Sequence, residues 1–157
     1  MKRYGKATSE VQQLVTHVRR EHHPDLGRVR LEVLAVESDA GIDPVSVAIL
    51  GPAARAAGAA DVAILIDREA WGEAANEDRA AWIDNALSGI RVVHRAGLVV
   101  VDAAGRPVVR RRKPAYRLAV HAEALERHGK HAPGFEAARQ VERAVRRGKR
   151  QTSTVGA

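Results

Sequence analysis

WIDNALSGIRV, residues 82–92, is the stretch on which the fold of this chain turns. Trp82, Ile83, Ala86, Leu87 and Ile90 recur at helical spacing, and Val93 continues the stripe. The pattern predicts an amphipathic helix running to about residue 94. Asn76 is its expected N-cap, and Glu77 and Asp78 suit the positive end of the helix dipole.

Working outward, DVAILID (61–67) is a short continuous apolar run, the pattern of a central strand buried on both faces. VRLEVLAV (29–36) and VSVAIL (45–50) read as two more strands. In the first, Val29, Leu31, Val33 and Ala35 face one way. GPAARAAGAA (51–60) suits either a loop or a helical turn. Residues 9–22 predict a helix, with Val11, Leu14, Val15 and Val18 on one stripe and Ser9 and Gln12 as a capping box. It should stop at His22-His23-Pro24-Asp25, because the residue before a proline avoids helical angles. LVVVDAAGRPVVRR (98–111) predicts a hairpin with Gly105 in its turn. Helices are expected over 116–128, ended by Gly129, and over 134–147, with Phe135, Ala138, Val141 and Val145 on one face. Strands and helices in this order predict a single α+β domain over 1–147, with a small mixed or antiparallel sheet packed against helices. Residues 148–157 read as a flexible basic tail.

The chain has 157 residues, 45% of them hydrophobic, which is enough for one core. It has no cysteine, so disulfides, thiolate metal sites and a thiol nucleophile are excluded. MKRYGKATSE has no apolar core of a signal peptide, and no apolar run nears the ~20 residues of a membrane span. A cytoplasmic protein without membrane partners is expected. The net charge of +7 is uneven. Residues 106–150 hold 14 Lys/Arg against 4 Asp/Glu, a balance of +10, whereas the first 105 hold 12 against 15, a balance of −3. Such a basic third suits nucleic acid or an acidic protein partner. Arg110, Arg111, Arg112 and Lys113 are its densest stretch and the candidate contact residues. Their simpler reading is a charged edge that discourages strand-to-strand association.

Asn85-Ala86-Leu87-Ser88-Gly89 has the five-residue frame of His-Glu-x-x-His. That motif places two imidazoles on one helix face around zinc, and its glutamate activates the bound water. Here an amide, a methyl group and a glycine stand at those positions, so by its own residues the helix holds no metal. Other histidines are candidates only. His94, about two and a half turns beyond Asn85, is the possible substitute ligand; its ordinary reading is a helix-end histidine. His121 and His128 share a face at i, i+7 with His131 just beyond, and His22 and His23 read as surface residues. Asp84 reads as a solvent-facing or structural carboxylate. Ser88 has no nucleophile-elbow motif around it, and Gly51 and Gly58 form no phosphate loop.

Taken in order, several segments resemble the phage metallopeptidase family, a zincin-like group. They are the turn His23-Pro24-Asp25-Leu26, the strand and tryptophan of DVAILIDREAW, the helix EDRAAWIDNALSGIRV, and RRRKPAYRLAVHAEALERHGKHAPGFEAAR. Asp84, Leu87, Lys113, Pro114, Tyr116, Leu118, Arg127, His128 and Gly129 match the pattern. Asn85, Ala86 and Gly89 stand where that family carries ligand, base and ligand, and Ala115 replaces an acidic residue. The resemblance covers about residues 4–143. It implies a zincin-like fold, zinc in the family, and a cleft beside this helix bordered by strand 61–67 and the hairpin. The substitutions imply that this chain holds no zinc there and lacks the proton acceptor of hydrolysis. Structural zinc contributes roughly 10–16 kcal/mol in small domains, so here the core must hold the fold alone. The expectation is a pseudoenzyme of phage or prophage type that binds a partner. The alternatives are a metallopeptidase with substituted ligands and a nucleic-acid-binding protein.

Overall fold

The computed structural model describes residues 3–37, 43–113, 121–136, 138–140 and 143. Its main sheet has the order β1 (Arg3–Lys6), β2 (Leu31–Glu37), β4 (Val62–Asp67), β3 (Val45–Ile49). β2 and β4 run parallel, and β1 and β3 lie antiparallel on the outside, so the sheet is mixed. β4 is central, as its continuous apolar run predicts. Val62, Ala63, Ile64 and Ile66 are all buried.

Helix α1 (Ser9–His22) lays Val11, Val15 and Val18 into the core. Its cap differs from expectation. Thr8 is the N-cap and accepts from the Val11 N–H at 3.5 Å, while the Gln12 side chain donates to the Ala7 carbonyl at 2.9 Å. α2 (Pro52–Ala56) is the helical turn that the alanines permit. Asp67, at the end of β4, caps the short helix α3 (Arg68–Glu73) by accepting from the Ala70 N–H at 2.9 Å.

Helix α4 (Asn76–Ser88) corrects two expectations. Ala75 takes the cap position and Asn76 is the first helical residue. The helix also stops at Ser88, with Gly89 as its C-cap, well short of residue 94. Every residue from Ile83 to Ser88 is buried, so this part is enclosed on all sides rather than amphipathic. The apolar periodicity beyond Gly89 belongs to extended chain. Ile90 and Val92 face the core from β5 (Ile90–Val92).

After β5, β6 (His94–Arg95) and β7 (Leu98–Val99) form a tight hairpin through Ala96 and Gly97. Of the hairpin expected over 98–111 only the tip around Gly105 forms, because its two flanks pair elsewhere, β7 with β6 and the return strand with β5. Val101 bridges Pro107, the Gly105 N–H donates to the Asp102 carbonyl, and Gly105 has φ 73°. Its return strand, β8 (Val109–Arg111), pairs with β5. A buried ion cluster ties this hairpin to α2. Asp61 has no exposed surface and lies 2.8 Å from both Arg55 Nε and an Arg106 Nη, while accepting from the Arg30 N–H. Arg55 also reaches Asp102 at 3.0 Å, which balances two cations with two anions.

α5 (Ala122–His128) is the described part of the helix expected over 116–128, and Gly129 ends it with φ 52°. Residues 135–136, 138–140 and 143 are helical, in line with a last helix. Pro114 to Val120, Val141, Val145 and the expected tail lie outside the described residues. The result is an α+β domain in which α1, α4 and α5 pack together beside a four-stranded mixed sheet and two small ones. Among the described residues no helix is long and apolar enough to cross a membrane.

Candidate functional site

The site is built on one carboxylate. Asp84 sits in the middle of α4 with no exposed surface, and three side chains converge on it from two chain segments. The first is the end of α1. The backbone N–H of His23 closes the helix onto the Arg19 carbonyl, and Pro24 forces a 3₁₀ turn anchored by the fully buried Leu26. This turns the His23 ring inward, where Nε2 lies 2.7 Å from Asp84 Oδ1. The second and third partners come from the last turn of α5. Arg127 Nη1 donates to Oδ1 at 2.5 Å, and His128 Nε2 lies 2.8 Å from Oδ2. His22 stands beside them, its ring edge-on to His128 with centroids 6.0 Å apart.

The electrostatics follow from these distances. Burial by itself raises the pKa of Asp84. The hydrogen bonds from His23, Arg127 and His128 and the charge of Arg127 overcome it, and the carboxyl ionises at about 2. His22 is shifted down, first by burial and then by the neighbouring Arg127, His128 and His23, against the pull of Asp84. Asp84 is therefore a buried anion clamped between helices, and the expectation of a solvent-facing residue does not hold. Nor is His23 a surface residue.

One residue further along α4 the chain makes a second contact with the α5 segment. Asn85 Oδ1 accepts from the buried N–H of His121, the residue preceding α5, at 2.7 Å. One turn on, Gly89 adopts ordinary helical angles, so its lack of a side chain serves space rather than conformation. A Cβ there would lie 3.3 Å from His121 Nε2. The imidazole fills the room that a side chain at position 89 would take. Burial lowers the His121 pKa, helped by the charge of Arg112. Positions 85 and 89 of the five-residue frame thus hold an amide that is already bonded and a glycine, and Ala86 offers no proton acceptor. These residues do not fit zinc.

The remaining candidates are dispersed. His94 lies on exposed β6 rather than on the helix, with Nδ1 3.1 Å from the Val92 carbonyl, so the spacing of two and a half helical turns from Asn85 does not exist. His121, His128 and His131 share no helix face. His121 faces Gly89, His128 faces Asp84, and His131 Nδ1 is 3.0 Å from Asp78. Arg110, Arg111, Arg112 and Lys113 are all exposed; Arg111 donates to the Val47 carbonyl and Arg112 pairs with Glu123 at 2.6 Å. Ser88 is buried, away from any solvent-borne substrate. A cavity of about 350 Å³ touches Asn85, but Asp43, Pro44, Val45, Trp82, Pro133 and Gly134 line the rest of it. Strand 61–67 and the hairpin do not border it, contrary to the expected cleft.

Sequence reasoning missed the convergence on Asp84. The available signal was an aspartate inside the apolar run WIDNAL, since an acidic residue flanked by core positions needs partners. Set beside known protein families, curated proteins and solved structures, the chain matches no family model, no curated protein and no solved structure.

Proposed function

We propose that this chain is a zincin-like protein of phage type without hydrolytic chemistry, which acts by binding a partner with an acidic surface. The observation that carries the reading is the packing at Gly89. Where the resembled family has a second zinc-binding imidazole, this chain has no side chain, and the His121 ring lies in that space. Position 85 is an amide committed to the His121 N–H, and position 86 is a methyl group. Water activation needs a ligated metal and a nearby base, and neither can be assembled from these groups. The exposed run Arg110–Lys113 would supply the contact surface.

The test is hydrolysis of a mixed peptide substrate by the zinc-supplemented protein, alongside His121→Ala. No zinc-dependent turnover is expected from either. Zinc-dependent turnover in the parent protein, whether or not His121→Ala retains it, would overturn the reading.

Nucleic acid is a second reading, favoured by four consecutive exposed cations. Neutralising about six phosphates would give a log–log salt slope near −5 on duplex DNA. A gel shift with no retardation at low salt removes it.

A further inference from the structure

The Asp84 cluster holds chemistry that neither of these readings uses. His22, Asp84 and His128 each offer one ligand atom, and these atoms all lie within 4.8 Å of one another. We propose that these three residues form a binding site for a divalent metal ion of the zinc class, at the junction of α1, α4 and α5.

Two imidazoles and a carboxylate are a donor set suited to zinc and its neighbours in the first transition row. With metal–ligand bonds of about 2.0 Å, ligand atoms around a tetrahedral ion stand about 3.3 Å apart. The present separations are compatible with that value. His128 Nε2 and Asp84 Oδ2 are 2.8 Å apart, and the widest pair is within 4.8 Å, so small side-chain rotations suffice. The two carboxylate oxygens divide the work. Oδ1 accepts from His23 and Arg127, whereas among the described residues Oδ2 meets only His128. His23 and Arg127 therefore hold the carboxylate as outer partners hold a metal ligand, leaving Oδ2 to the ion. His22 and His128 are only half-buried, which gives the ion access.

Binding has a defined cost. The Nε2 of His128 must give up the hydrogen it donates to Oδ2, and the change of tautomer places that hydrogen on Nδ1. The Arg127 guanidinium repels the ion, so affinity is lower than in a closed structural site. In return the ion links three helices that are otherwise joined here by hydrogen bonds.

This site is separate from positions 85, 86 and 89, and the proposal does not rest on the pseudoenzyme reading. The experiment uses untagged full-length protein stripped with a chelator, then titrated with zinc chloride by calorimetry and thermal melting. One zinc per chain is expected, with Tm rising roughly 5–10 °C when free zinc is about 100-fold above Kd. His22→Ala and His128→Ala should each weaken binding at least about tenfold, and His121→Ala should leave it unchanged. Because a variant can lose binding by unfolding, imidazole resonances of the parent protein provide a second readout. Those of His22 and His128 should shift on zinc addition, and those of His94 and His131 should not. No zinc uptake, or uptake equal in parent and His22→Ala/His128→Ala, overturns the proposal. Zinc on these residues without peptide hydrolysis upholds both this site and the pseudoenzyme reading. Zinc-dependent hydrolysis rejects the latter alone.

Discussion

Replacing Asp84 with asparagine tests the centre of the structure. In the folded chain this carboxyl ionises at about 2 rather than at the ordinary 3.8, because His23, Arg127 and His128 favour its anion. At about 1.4 kcal/mol per pH unit, that difference corresponds to roughly 2 kcal/mol of folding free energy. The folded value is the lower one. The stabilisation is therefore complete above pH ~4 and disappears as pH falls toward ~2. Asp84→Asn removes the anion but leaves Arg127 and two imidazoles facing an amide. Breaking one side of a buried ion pair typically costs about 3–5 kcal/mol, so a loss of about 3 kcal/mol at neutral pH is expected. For a chain of this size that lowers Tm by roughly 6–12 °C. Urea denaturation of both proteins, repeated from neutral pH down to pH ~2, gives the assay. The gap between parent and variant should narrow by about 2 kcal/mol across the acid range. Parallel acid profiles, or a neutral-pH loss below about 1 kcal/mol, would refute the clamp.

Asp61→Ala should cost about 3–5 kcal/mol, since it leaves Arg55 and Arg106 buried around an empty position. Denaturant melts measure it, and a loss under 1 kcal/mol would be incompatible with that cluster (about the value of an ordinary surface pair). Asn85→Ala strips the acceptor from the buried His121 N–H, at a cost of about 1–3 kcal/mol, and faster amide hydrogen exchange at His121 should report the same break. Unchanged protection of that amide would contradict the contact. If the basic strand is the contact surface, Arg110→Ala with Lys113→Ala should reduce the salt slope of binding to duplex DNA or an acidic protein, by about 2 on DNA. An unchanged slope would move the interface elsewhere.

Local pattern carried a large part of the fold. The boundaries of α1, the central place of DVAILID and the Gly105 turn follow from periodicity and from residues that favour turns, all within a few positions of one another. Periodicity misled where two elements share one apolar phase. Ile90 continues the stripe of α4 although the helix has ended at Gly89, because a buried strand and a buried helix face both demand apolar residues. The unsuitability of positions 85, 86 and 89 for zinc was also local, since a methyl group and a hydrogen have no ligand atoms wherever they lie.

The sequence by itself thus determined α1, the central strand and the Gly105 turn, and which chemistry position 86 cannot perform. Tertiary structure alone decided what Asp84 is. Its partners lie 61, 43 and 44 residues away, on α1's end and on α5, and nothing in WIDNAL specifies them. The same holds for His121, whose ring reaches Gly89 only because α5 packs across the end of α4. Apolar spacing records which face is withdrawn from water. A buried charge must find its partners in space, and the packing of distant segments selects them.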